Sequence, residues 1–155
     1  MSIRLSTAGV SVGYAVEETA STMPTTGYIH IPELKSIPEM NPEPSTLETT
    51  TLDETEYKTY IDGLKDLGGA LSFTANLTQD FKDKWAEMVT AYETAKAAGK
   101  NTWFCIQFPG IDEAVFFTGN PSNLGAPAAE VDSVLEINAY ITPTSAPAWK
   151  TAPTA

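Results

Sequence analysis

The 155-residue chain holds one histidine (His30), one cysteine (Cys105) and one arginine (Arg4), and that scarcity decides most of its chemistry. A hydrolase or transferase needs a nucleophile, a base and a group that orients the base, which is most often histidine. His30 sits between Ile29 and Ile31 and beside Pro32, the setting of a structural strand residue. No serine occupies a nucleophile-elbow pattern. Cys105 lies in the apolar run Trp103-Phe104-Cys105-Ile106, with no polar neighbour in sequence to lower its pKa, and reads as a small buried hydrophobe. A lone cysteine also excludes an intrachain disulfide and a CxxC site. The pairs Glu17-Glu18, Asp53-Glu54 and Asp112-Glu113 are of the residue type a glycosidase uses, but they fall in loops or at strand ends, without arginine support. Asp53 to Asp66 misses the calcium-loop register, with Tyr57 at position five and the glycine misplaced. Gly68-Gly69 precedes a strand, so no helix N-terminus follows to hold a phosphate. Asn76-Leu77-Thr78 has the form of a glycosylation acceptor, yet Thr78 has a structural use as a helix cap. The sequence predicts no enzyme, no metal and no cofactor.

Composition narrows the remaining classes. Hydrophobic residues are 42% of the chain and charged residues 19%, which fits one folded domain with a single core. Nine Lys and Arg stand against 20 Asp and Glu, a net charge of −11. Such a surface repels phosphates and excludes conventional nucleic-acid binding, which requires cations that release counterions. The acid is concentrated: from Glu17 to Glu56 there are nine acidic residues and one base, Lys35. That is either a solvated surface or the complement of a basic neighbour. The N-terminal residues lack the form of a secretory signal, and no window reaches the roughly 18 apolar residues of a membrane span. Synthesis in a cytoplasm and no membrane partner are the expectations.

The elements that would position side chains are strands and one helix. Val10, Val12, Tyr14 and Val16 alternate with small or polar residues, the period of a half-buried strand. Tyr28–Leu34 is β-rich, and Pro32 makes it an edge or a bulge. Pro38, Pro42 and Pro44 keep residues 38–46 extended. Leu71, Phe73, Ala75 and Leu77 face one way, and Ser72, Thr74 and Asn76 the other. Thr78 caps a helix whose stripe Phe81, Trp85, Met88, Val89 and Tyr92 packs on the sheet, and Gly99 ends it. Thr102–Phe108 and Ala114–Thr118 form a hairpin through Pro109-Gly110, and Asn120–Pro127 is loop. The last strand spans Val131–Thr142, with Leu135, Ile137, Ala139 and Ile141 on one face and Glu136, Asn138 and Tyr140 on the other. From Pro143 the chain becomes a Pro/Thr/Ala tail, extended or flexible unless Trp149 docks. The fold class is mainly β: an antiparallel β-sandwich or barrel of six to eight strands with one flanking helix, as a domain over residues 1–142 and a tail over 143–155.

The polar strand faces carry no Lys or Arg to discourage strand addition. Such a sheet can pair edge to edge with copies of itself and close into a ring around an acidic or neutral channel. At this point the run Thr49–Leu77 matters. Thr50-Thr51-Leu52-Asp53, Tyr60-Ile61-Asp62-Gly63-Leu64-Lys65-Asp66 and Leu71-Ser72-Phe73-Thr74-Ala75-Asn76 resemble the signature of the lambda-like tail tube (major tail) proteins of long-tailed bacteriophages.

The resemblance implies a tail-tube fold, hexameric rings that stack into a hollow virion tube, and DNA that passes through without binding. The loop from about Pro42 to Lys65, with Thr46, Glu48, Thr50, Asp53, Glu54, Glu56 and Tyr57, is then expected to reach the adjacent ring. Further copies of the chain, tape measure, tail tip and terminator proteins, and in a contractile tail a sheath protein, are the implied partners. Some relatives carry an extra Ig-like domain for which this chain is too short. Strand alternation, apart from the resemblance, selects Ser72, Thr74, Asn76, Glu136 and Asn138 to face the channel. Two other readings remain open: a tube in a phage-tail-like bacteriocin or injection system, and a monomeric β-sandwich binding or adhesion module.

Overall fold

The computed structural model describes residues 4–42, 44–64 and 69–153. Lys65, Asp66 and Gly68, in the turn and signature discussed above, lie outside them. The described elements are β1 (Ser11–Val16), β2 (Ile29–His30), β3 (Leu34–Ser36), β4 (Thr46–Glu48), β5 (Tyr60–Asp62), β6 (Leu71–Asn76), α1 (Gln79–Ala97), β7 (Thr102–Gln107), β8 (Glu113–Pro121), β9 (Glu136–Pro143) and β10 (Ala148–Thr151). Eight strands form one curled antiparallel sheet in the order β2-β1-β7-β8-β9-β6-β3, with β10 also on β8. β4 and β5 form a separate two-stranded ribbon. The mainly β fold with a single helix is the expected class.

The two end strands of the curl, β2 and β3, are consecutive in the chain. Tyr28–Leu34 is therefore not one strand, as the sequence suggested, but a crossing between opposite edges. Ile31-Pro32-Glu33 makes the crossing. The Ile31 N–H donates to the Val12 carbonyl at 2.9 Å, while the Glu33 carbonyl accepts from Asn76 N–H at 3.0 Å. Pro32 has no donor to lose, and Glu33 turns the chain at φ +66°. Ile31 is buried in the core between the two edges.

Inward alternation builds that core. Val12 and Tyr14 of β1, Phe73 and Ala75 of β6, Phe104 and Ile106 of β7, Val115 and Phe117 of β8, and Ile137, Ala139 and Ile141 of β9 meet Phe81, Trp85, Met88 and Val89 of the helix. Removing those four helix side chains from water contributes about 6–12 kcal/mol, an upper bound. Tyr92 is only half-buried, with the Lys96 ammonium 6.0 Å from its ring centre. The Thr78 hydroxyl accepts from Phe81 N–H at 3.2 Å, satisfying one orphan donor of the first turn. At the other end Gly99 (φ +75°) allows Lys100 N–H to reach the Ala95 carbonyl and its own N–H to reach that of Lys96.

Strands β7 and β8 read as apolar runs because both of their faces are covered. On the reverse face Cys105, Ala114 and Phe116 pack with Met23, Tyr28, Trp103 and Ala152. Burial pushes the Cys105 thiol up to about 11. Below them Glu17 is 2% exposed and accepts from Trp103 Nε1 (2.8 Å), Asn101 N–H (2.8 Å) and Ser21 N–H (3.1 Å). Burial raises its pKa, but these bonds outweigh burial and hold it below the ordinary carboxylate value.

Three further boundaries differ from the sequence reading. Residues 131–135 are not strand: Asp132 adopts φ +58°, Val131, Val134 and Leu135 are exposed, and β9 begins at Glu136. Asn120 and Pro121, expected in a loop, continue β8 and pair with β9. Ala148–Thr151 pairs with β8, and the Trp149 ring packs at a tilt against Phe108 with ring centres 5.7 Å apart, so the tail docks on its own subunit.

Candidate functional site

No constellation for catalysis forms where the sequence offered candidates. His30 is exposed on β2, Glu17 is a buried structural acceptor, and Cys105 is sealed in an apolar cluster. Among the described residues no group of three or more His, Cys, Asp or Glu could hold a metal ion, and no helix is long and apolar enough to cross a membrane. The structure instead presents three surfaces suited to association.

The first is a polar sheet face. β6 and β9 pair in register with Ser72 opposite Tyr140, Thr74 opposite Asn138 and Asn76 opposite Glu136. The intervening residues are buried, so all six side chains share the outer face. Thr74 Oγ1 lies 3.2 Å from Asn138 Oδ1, and Asn76 Nδ2 donates to Glu33 at 3.4 Å. Ser72, Thr74, Asn76, Glu136 and Asn138 thus stand together on one exposed surface. Sequence alternation had not included Lys35. In β3, Leu34 pairs with Ala75 and Ser36 with Thr74, so Lys35 is an extra residue in a bulge. Its ammonium makes an ion pair with Glu136 two strands away.

The second surface is an open edge. Among the described residues, β9 pairs over 136–139 with β6 on one side only, and β8 joins it from Ile141 onward. Ser122 N–H donates to the Tyr140 carbonyl at 3.0 Å at the margin of this stretch. A trough of about 750 Å³ runs along the edge, lined by Asn123, Pro127, Glu130, Val134, Glu136 and Tyr140.

The third is the β4–β5 ribbon, a hairpin where the sequence had suggested only loop. Leu47 lies opposite Ile61, and Thr46 and Glu48 oppose Asp62 and Tyr60. Beyond the strands threonines continue the pairing. Thr59 N–H donates to Thr50 Oγ1 at 2.8 Å, and Thr49 N–H donates to the Thr59 carbonyl at 2.8 Å. At the tip Glu54 accepts from the N–H groups of Glu56 and Tyr57, which hold its pKa below the ordinary value. Asp53, Glu54, Glu56 and Tyr57 are all exposed there. At the base a Cβ on Gly63 would lie 2.5 Å from Ser45 Oγ, so a side chain there would displace the Ser45 hydroxyl from the Leu64 carbonyl. Leu47 is 56% exposed, Ile61 55% and Leu64 94%. A lone two-stranded ribbon is marginal in water, and an apolar one needs a cover.

No family model and no curated protein sequence matches the chain, so the resemblance to lambda-like tube proteins rests on its sequence motifs alone. Solved structures do match. A chain of the anti-feeding prophage baseplate, in a sixfold-symmetrised reconstruction, aligns over 99% of this chain and 100% of its own, with a TM-score of 0.66 and 9% identity. A chain of the tail of the empty GTA particle, refined with C6 symmetry, aligns over 92% and 96%, with a TM-score of 0.57 and 12% identity. A chain of the anti-feeding prophage cap, the tube terminating cap, aligns over 98% and 94%, with a TM-score of 0.61 and 12% identity. At these identities the likeness shows the fold: that of chains in phage-tail-like particles.

Proposed function

We propose that the chain is a structural tube subunit of a phage tail or phage-tail-like particle. Six copies join edge to edge into a ring, rings stack into a hollow tube, and the polar face of β3, β6 and β9 lines the bore. The observation that carries this reading is the β9 edge left open over residues 136–139 beside a polar, weakly charged face. The sixfold symmetry of the baseplate and tail that contain chains of this fold supports the ring. With three to four strands per copy, about 4.8 Å apart and tilted about 40°, six copies enclose a backbone barrel roughly 36–48 Å across. That leaves room for an extended macromolecule, and the net charge of −11 keeps DNA from adhering to it. The β4–β5 ribbon reaches the neighbouring ring, where its apolar residues are covered. Tape measure, tip, terminator and sheath proteins would meet the assembled tube rather than the free subunit.

Similar chains occur in the anti-feeding prophage baseplate and tube cap, which supports a second reading: a tube in a phage-like particle other than a virion. Size-exclusion chromatography with negative-stain microscopy tests the shared core of both. Rings or hollow tubes with sixfold averages are expected, and a strict monomer at high concentration would refute it.

A further inference from the structure

We infer that Glu136 sets the bore's indifference to polyanions by masking Lys35; the inference rests on the tube reading above. Among the described residues of β3, β6 and β9, Lys35 is the only Lys or Arg. The bulge between Leu34 and Ser36 puts it on the sheet segment whose outer face is polar, and its side chain crosses β6 to reach the Glu136 carboxylate on β9. Lys35 is a residue that alternation along β6 and β9 could not supply, and it introduces a cation into a surface otherwise of hydroxyls, amides and carboxylates.

An unpaired ammonium here would repeat six times in every ring and again in every ring of the stack. Phosphates sliding past would find cations at regular intervals, each contact releasing a counterion. Glu136 cancels that charge locally, and Glu33, hydrogen-bonded to Asn76 on the same face, leaves the surface with a net negative charge. The side chains of the pair are 43% and 38% exposed, so the pair adds little stability to the subunit. Its consequence lies in what the channel refuses to hold. The partner refused is a nucleic acid, recognised by its backbone phosphates and not by its bases.

The test uses the assembled protein. Tubes of wild type, Glu136→Gln and the double variant Lys35→Gln/Glu136→Gln are mixed with a short fluorescent DNA duplex, and bound DNA is followed by anisotropy across salt concentrations. Glu136→Asn serves in place of Glu136→Gln if the latter forms no tubes. The unmasked single variant should retain DNA at 50 mM salt at least tenfold more tightly than wild type. For as few as two phosphates neutralised, its affinity should fall about 12-fold on raising salt fourfold, from a slope near −1.8. The double variant should return to wild-type indifference. Microscopy of the same samples separates the two ideas. Tubes of Glu136→Gln that bind DNA no better than wild type, or a double variant that still binds, overturn the masking role alone. Absence of tubes from wild type overturns the tube reading and the inference with it.

Discussion

Replacing Leu47 and Ile61 together by serine should leave the subunit folded and abolish stacking. The two side chains face each other across the β4–β5 ribbon and are each a little over half exposed. Full burial of an aliphatic side chain contributes about 1.5–3 kcal/mol, so covering the exposed half of both contributes about 1.5–3 kcal/mol per ribbon. In the proposed tube six ribbons would act together at a junction between two rings, giving roughly 9–18 kcal/mol if none of it is lost. A threefold reduction for side-chain ordering and imperfect packing still leaves about 3–6 kcal/mol, or two to four decades in the elongation constant. The double-serine subunit, altered only on an exposed ribbon, should keep its unfolding free energy within about 0.5 kcal/mol of wild type. Sedimentation and negative-stain length distributions read the first effect, and thermal melting of the free subunit reads the second. Tubes of wild-type length at the same concentration would refute the ribbon's role. A subunit melting many degrees lower would show instead that the ribbon belongs to the intramolecular core.

Three further outcomes follow from other parts of the molecule. Ser72→Lys/Thr74→Lys adds two cations per copy to the polar face; tubes should still form, while DNA passage slows or stalls, and unchanged delivery would remove this face from the bore. Glu17→Gln leaves the Trp103, Asn101 and Ser21 donors without a carboxylate and should cost about 2–4 kcal/mol at neutral pH, measured by urea unfolding. The folded pKa of Glu17 is depressed, so its contribution is present above the unfolded value near 4.3 and is lost as pH falls through the folded value. The gap between wild type and Glu17→Gln should therefore narrow in acid, and a gap that widens there would contradict the sign of the shift.

How far the sequence disclosed this molecule depended on whether a feature was periodic. The helix was plain because Thr78, the stripe from Phe81 to Val89 and Gly99 all agree on its span. The polar face of β6 and β9 was legible for the same reason, since strict alternation over six residues fixes which side chains share a face. Features set by contact between distant segments were not. Nothing local says that Ile29 and Leu34 join opposite edges of the sheet; that follows from Ile31 finding Val12 and Glu33 finding Asn76. Nor does the sequence place Lys35 beside Glu136, because a bulge shifts the register only once β3 has paired. The ribbon was hidden by composition. Threonines and carboxylates read as loop, yet the threonine hydroxyls extend the pairing beyond three-residue strands. Glu17 left a faint trace, an acid directly after an apolar strand, whose meaning depended on Trp103 across the fold.

The edges of the sheet also constrain which kind of oligomer this chain can make. Its two end strands, β2 and β3, are only two and three residues long, and the crossing Ile31–Glu33 ties them together. A short end strand, bulged in the case of β3, discourages pairing with a second copy of itself. The open stretch of β9 is longer and flanked by a trough. On the sheet segment β3-β6-β9, the two borders are thus unlike: one straight and unpaired over residues 136–139, the other short and bulged. A twofold dimer must present the same patch from both partners, so it would use one border twice and leave the other idle. Pairing unlike borders is heterologous, and repetition by rotation then leads to a closed ring or an open helix. The curl of the sheet favours closure, because each added copy turns in the same sense. Mismatched borders on a curved sheet therefore fit the proposed ring better than a twofold dimer, and in that proposal the exposed ribbon is left for contacts along the axis.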